Sequence, residues 1–274
     1  MNYINTKIYD KKESNTTLVV SRDNILEESF NQFMTTHELD LRKAMQIFFV
    51  DEIAQDIGGV YREWYSVLFD SIFNNKFFYP AEGHTYYISV NKPDQDNYSL
   101  YYEFFGKIIG KAIFDKITIK MNLNIVLIKQ ILDMEIVLED IKYLDINYYN
   151  SLKSLLGNKL GETDLPFVWV IKKDNEDIEY ELIENGKNTY INDTNKSIFV
   201  EKVIRLITYD SIKDKISPLL KGIRSLIPLD ILTIFTPVEF DFLLSGQSDI
   251  DINDWRQNTI YKGYYTEQHP VIEY

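Results

Sequence analysis

The sequence predicts a mainly α-helical protein with a small α+β subdomain set into it. Three observations lead there. Apolar residues recur at helical spacing through residues 19–144 and again through 217–274. Strict apolar/polar alternation is confined to the stretch between, residues 145–216. Apolar side chains are 45% and aromatics 14% of 274 residues, enough to bury a sizeable core. Residues 1–18 are polar and read as an N-terminal extension.

Taken in order, Ile25, Ser29 and Phe33, widened by Leu26 and Phe30, mark a helix for which Ser21 is the expected N-cap. Ile47-Phe48-Phe49-Val50 is a short buried strand or a helix end, its length deciding neither. Gly58-Gly59 breaks the chain before a helix with Val60, Trp64, Val67, Leu68 and Ser71 on one face. Ser99 is expected to cap the next helix, whose inner face carries Tyr102, Phe105, Ile109 and Ile113. Gly106 and Gly110 lie one turn apart there, inviting close approach by a neighbouring helix. Asp145 can cap a helix through Tyr149, Leu152 and Leu156. Leu165, Phe167, Trp169 and Ile171 then alternate as one strand, and Ile178, Tyr180 and Leu182 as a second. Asn185-Gly186 signals a turn, and Thr194 or Asn195 caps a helix through Phe199, Val203, Leu206 and Ile207. Thr236-Pro237-Val238-Glu239 is a capping box, and Gly246 should end that helix.

A formal charge of -13 argues against nucleic acid and anionic membrane surfaces, which need clustered Lys and Arg, and would steer basic proteins instead. No uninterrupted apolar run approaches a membrane span of ~18 residues, and the first residues lack a signal-peptide core. A cytosolic or nuclear setting is therefore expected. Cysteine is absent, which removes disulfides, thiolate catalysis and Cys-ligated zinc from this chain. Gly106 to Ala112 is one residue short of a phosphate loop and has Ala112 where Ser or Thr is needed, so helix packing is the better reading. Asp249, Asp251 and Asn253 lack the glycine and the bidentate Glu of a calcium loop. His37, His84 and His269 share no ligand spacing. No catalytic constellation and no cofactor site emerges.

Eight signatures nonetheless run along the chain. They are Asp40-Leu41-Arg42-Lys43, Asp56-Ile57-Gly58-Gly59-Val60-Tyr61-Arg62-Glu63-Trp64, Phe105-Gly106-Lys107-Ile108-Ile109-Gly110-Lys111-Ala112 and Tyr149-Asn150-Ser151-Leu152. Glu184-Asn185-Gly186-Lys187, Thr194-Asn195-Lys196, Leu243-Leu244-Ser245-Gly246 and Asn258-Thr259-Ile260-Tyr261-Lys262-Gly263-Tyr264 complete the set. In this order and spacing, from about Val19 onward, the chain resembles the N-terminal lobe of the bilobal HECT domain of ubiquitin ligases.

The resemblance implies a large helical subdomain, residues 19–144 and 217–274, and a small subdomain, residues 145–216, that docks a ubiquitin-conjugating enzyme. It also implies ubiquitin and a protein substrate as further partners, with the substrate's identity unreadable. In the family a cysteine in a C-terminal lobe takes ubiquitin as a thioester, because a thiolate exchanges readily with another thioester. With no cysteine, this chain alone is expected to be inactive and to be a truncation before that lobe. The alternative is a stand-alone protein that binds or sequesters conjugating enzymes without chemistry.

By position, the family's docking groove implies Tyr148, Leu152, Leu155, Leu165, Phe199 and Val203, unless these are the small subdomain's own core. Phe199→Ala is then expected to weaken docking by ~2 kcal/mol in a folded protein. Val203 and Asn158 stand where relatives commonly carry larger residues, which implies a shallower groove. Met121-Asn122-Leu123-Asn124 replaces a Pro-Phe usual before the next helix. Phe77, Phe78 and Tyr79 lie where some relatives bind a second ubiquitin, against which stands ordinary packing. Gly58-Gly59 and Arg62-Glu63 are read as structural, the glycines for a tight turn and close approach.

Overall fold

A computed structural model describes residues 16–52, 59–119, 121–161 and 163–246. Strand β1 (Thr16–Val20) pairs in parallel with β2 (Met45–Phe49), Leu18 facing Ile47 in register. A parallel pair needs a crossover, which α1 (Ile25–Thr35) and α2 (Glu38–Leu41) provide. The segment around Ile47 is thus a strand, with Ile47 and Phe49 buried and Phe48 and Val50 exposed. Ile25, Ser29, Phe30 and Phe33 form the buried stripe of α1, and Ser29 accepts a hydrogen bond from the Trp64 indole at 3.0 Å. Ser21 does not cap this helix. Asn24 precedes it, and Ser21 instead donates through its N–H and hydroxyl to the Glu28 carboxylate, folding the chain back on the helix.

Helix α3 (Gly59–Asn74) buries Tyr61, Trp64, Tyr65, Leu68, Phe69 and Ile72. The expected face is therefore rotated: Val60, Val67 and Ser71 are only half-buried, because the aromatic residues occupy the inner positions. A Cβ on Gly59 would meet nothing within 4 Å, so no close approach demands glycine there; Gly58 lies outside the described residues. Glu63 reaches Arg22 at 2.7 Å, tying α3 to the end of β1, while Arg62 is exposed. Strands β3 (Phe78–Ala81) and β4 (Thr85–Ile88) form an antiparallel hairpin turned at Gly83 and His84, both at positive φ.

Helix α4 (Tyr98–Asp115) follows Asn97, so Ser99 sits inside its first turn rather than capping it. It is buried on all sides from Phe104 to Ile113, not on one face. The Gly106–Ala112 segment is the middle of this helix. Helices α5 (Ile125–Ile131), α6 (Leu138–Ile141) and α7 (Ile146–Gly157) follow, then the antiparallel pair β5 (Val168–Lys173) and β6 (Glu176–Glu181). Asn124 caps α5 through the Val126 N–H and donates to Thr85 and the Tyr143 carbonyl, which gives the altered Met121–Asn124 stretch a structural task. The chain ends its described course in α8 (Lys196–Thr208), α9 (Lys213–Leu226), α10 (Leu229–Leu232) and α11 (Pro237–Ser245). Thr236 and Glu239 form the expected capping box on α11, and Gly246 ends it at φ +75°.

Packing of α4 on α9 fixes the centre. A Cβ on Gly106 would stand 2.0 Å from the Leu219 carbonyl oxygen, and one on Gly222 2.0 Å from that of Glu103. The two backbones touch, as the glycine spacing predicted. Around them lies the larger core, which includes α1, α3, the β3–β4 hairpin and α5. Leu152, Phe167, Ile191, Phe199, Val200 and Val203 form a second, smaller core, and Ile204 and Ile207 touch both. Ile212 and Ile216 belong to the larger core, so the chain returns to it before residue 217.

Candidate functional site

The small core is assembled from short-range chemistry. Asp145 caps α7 by accepting from the N–H groups of Asn147 at 2.8 Å and Tyr148 at 3.0 Å. Asp174 and Asn175, both at positive φ, make the two-residue turn of the β5–β6 hairpin. Phe167 donates its N–H to the carbonyls of Gly186 and Thr189, and a Cβ on Gly186 would lie 2.6 Å from the Phe167 oxygen. Glycine is therefore required at that close approach. Helix α8 follows Asn195, whose side chain donates to the Tyr190 carbonyl instead of capping the helix. Inside, Phe199 meets Phe167 and Trp169 edge-on at 5.2 and 6.1 Å, and Trp169 meets Tyr148 at 5.4 Å.

These contacts place the sequence-expected residues in two groups. Leu152, Phe199 and Val203 are 1%, 4% and 0% exposed and form the small core itself. For these three the burial matches the alternative that the sequence left open, the small subdomain's own core: the amphipathic stripe that identifies them is the stripe a helix buries. Leu165 is 52% exposed, just before β5. Tyr148 and Leu155 are half-buried, Tyr148 packed against the larger core and touching the Trp169 ring of the smaller subdomain. Two exposed residues escaped sequence reasoning: Tyr190 at 51% and Ile198 at 50%. Tyr190 bridges to Pro166 beside Leu165, and its carbonyl is tied to Asn195 at the start of α8, one turn before Ile198. Ile198 left a readable signal, an apolar side chain off the Phe199/Val203/Leu206 stripe. Together Leu165, Tyr190 and Ile198 put apolar surface on segments stitched to one another, over a rigid aromatic interior.

Phe77 and Phe78 are core residues. Phe77 packs edge-on against Phe105 at 4.8 Å and Tyr102 at 5.6 Å, and Phe78 against Phe73 at 5.7 Å. Their burial matches the ordinary packing that the sequence set against ubiquitin binding at this segment; Tyr79 is half-buried.

The polar groups of the small subdomain are structural. Asp193 is held below the usual carboxylate range by the Lys196 ammonium and the Leu160 N–H. Among the described residues no three His, Asp or Glu side chains converge as a metal site. The segment with Asp249, Asp251 and Asn253, like the Asn258–Tyr264 signature, lies outside the described residues. No described helix is long and apolar enough to cross a membrane.

Comparison with known proteins gives this arrangement its context. Residues 66–274 match the family model of the HECT-domain (ubiquitin-transferase). The E3 ubiquitin-protein ligase ptr1 of Schizosaccharomyces pombe is 32% identical over 96% of this chain, which spans 8% of that relative. RSP5 of Saccharomyces cerevisiae, an E3 ubiquitin-protein ligase, is 31% identical over 93% of the chain and 32% of its own length. The E3 ubiquitin-protein ligase NEDD4 of Rattus norvegicus is 30% identical over 92% of the chain and 29% of its own length. The chain thus spans a third or less of these relatives, and with most of its length matched to the domain model it belongs to the HECT family.

Proposed function

We propose that this chain is the part of a HECT-type ubiquitin ligase that docks a ubiquitin-loaded conjugating enzyme. The observation that carries the reading is the small subdomain, with its own aromatic core and the exposed Leu165, Tyr190 and Ile198 above it. Large apolar side chains held over a packed interior suit an anchor loop from a partner, because little freedom is lost on binding. The acidic chain, at -13, favours encounter with a basic partner face.

The contribution to catalysis is positional. Transthiolation requires a thiolate to reach the face of the thioester carbonyl carbon, and this chain has no thiol to supply. Its part is to hold the conjugating enzyme so that a cysteine thiolate elsewhere in the ligase adds to the thioester carbonyl and the conjugating enzyme's thiolate leaves; the new thioester then passes ubiquitin to a substrate lysine amine. The setting is cytosolic or nuclear.

Titration against a panel of conjugating enzymes tests this. Ile198→Ala and Tyr190→Ala are each expected to weaken the best binder by ~1–2 kcal/mol, about tenfold, with unchanged thermal unfolding. Wild-type affinity in both variants, or no binding by any member of the panel, refutes the reading.

A further inference from the structure

A half-open cleft of about 330 Å³ separates the β5–β6 hairpin from the larger core. Its walls come from both sides of the junction. Ile88 belongs to β4, Ile171 to β5 and Ile207 to α8, while Tyr79, Asp145 and Tyr148 add polar groups. Asp145 uses only Oδ1 to cap α7. Its second oxygen has no hydrogen-bond or ion-pair partner among the described residues. The same holds for the phenol hydroxyls of Tyr79 and Tyr148. Burial, then the nearby Asp145 carboxylate, pushes both phenols up from their ordinary range, so they stay protonated at neutral pH. Lys172, the cation among the lining residues, is itself exposed on β5.

We infer that this cleft is a binding site for a small apolar molecule bearing a protonated amine, held by the Asp145 carboxylate. The aliphatic walls and the Tyr79 and Tyr148 rings take the apolar body, and the volume lies at the small end of ligand pockets. The amine completes the unused carboxylate oxygen with a charge-assisted hydrogen bond, the strongest polar contact the cleft can offer. An anionic ligand would face Asp145 and gain only the exposed Lys172.

Occupancy would have a mechanical consequence. The hairpin tip is already latched to the larger core: Asp174 accepts from the Lys92 N–H at 2.9 Å and donates its own N–H to Asn91 at 2.8 Å. Beneath that latch, the buried Lys215 ammonium donates to the carbonyls of Ser89, Val90 and Asn91 at 2.7–2.8 Å. A ligand touching both walls would splint the same junction from inside. Leu165, Tyr190 and Ile198 are not among the residues that line the cleft.

The test is a titration with 2-phenylethylamine, using 2-phenylethanol and 3-phenylpropionate as neutral and anionic counterparts. It is read by calorimetry and by amide chemical-shift mapping at pH 7. The amine is expected to saturate, with shifts centred on residues 88–91, 145–148 and 171–172. The alcohol should bind at least about tenfold more weakly, and the acid not at all. Asp145→Asn keeps the helix cap, since Asn and Asp cap equally well, yet should weaken the amine about tenfold. The assignment is overturned by any of four results: no saturable amine binding at low millimolar concentration, equal affinities for amine and alcohol, wild-type affinity in Asp145→Asn, or shifts that map away from the cleft.

Discussion

In the larger core, α4 is enclosed on every side from Phe104 to Ile113 and its backbone touches that of α9. In the smaller core, six buried residues hold α7, the segments flanking the hairpin and α8 together, while Leu165, Tyr190 and Ile198 remain outside. The two regions solve different problems. The first encloses the middle of its central helix completely and acts as a scaffold. The second encloses a much smaller set of side chains and leaves large apolar ones exposed beside it.

The sharpest way to break this comparison is at the helix contact. Gly222→Ala drives a methyl group into the Glu103 carbonyl and should destabilise the whole protein by at least ~3 kcal/mol, read by urea unfolding. If it were neutral, the backbones could not be in contact. Next, Phe199→Ala should cost about 3 kcal/mol by emptying the small core of its central ring. Hydrogen exchange should show that loss in residues 146–208 and leave α4 and α9 protected; uniform loss would mean that the two cores unfold as one.

Lys215 gives a smaller effect with a definite sign. Burial lowers its ammonium from the ordinary lysine range to about 8, against the ordinary value of 10.5 in the unfolded chain. Between those values the unfolded state binds more protons, so this group's contribution to stability rises as pH climbs from about 8 to about 10. Lys215→Met should remove that component from the pH dependence measured by chemical denaturation; an unchanged slope would place the titration elsewhere. The smallest effect has the opposite sign to the first. A Cβ on Gly157, in the last turn of α7, would meet nothing within 4 Å, so Gly157→Ala should stabilise by roughly 0.5 kcal/mol in a thermal scan. Two glycine-to-alanine changes would then differ only in whether a backbone lies opposite.

Much of this architecture was legible because it rests on local chemistry. The Asp145 cap, the Thr236–Glu239 box, the Gly246 stop, the hairpin alternation and the α4 glycines all report what the backbone needs within a few residues. Where reading failed, competition between neighbours decided. On α3 both Val60/Val67 and Tyr61/Tyr65 could have faced inward, and the larger aromatic set occupies the core. Ser21 and Ser99 each had the chemistry of a cap, but Ser21 is engaged by Glu28 and the helix after Asn97 begins before Ser99.

The site separates the two kinds of information most clearly. Sequence by itself determined the family resemblance and the absence of a thiol, because motif order and residue type are properties of the chain. Only the tertiary structure decided which side chains of the small subdomain are presented. Phe199 and Ile198 are adjacent, apolar and on one helix, yet one is enclosed by Phe167 and Trp169 and the other is half in solvent. Burial depends on what packs opposite, and for α8 that partner comes from residues about thirty positions earlier in the chain.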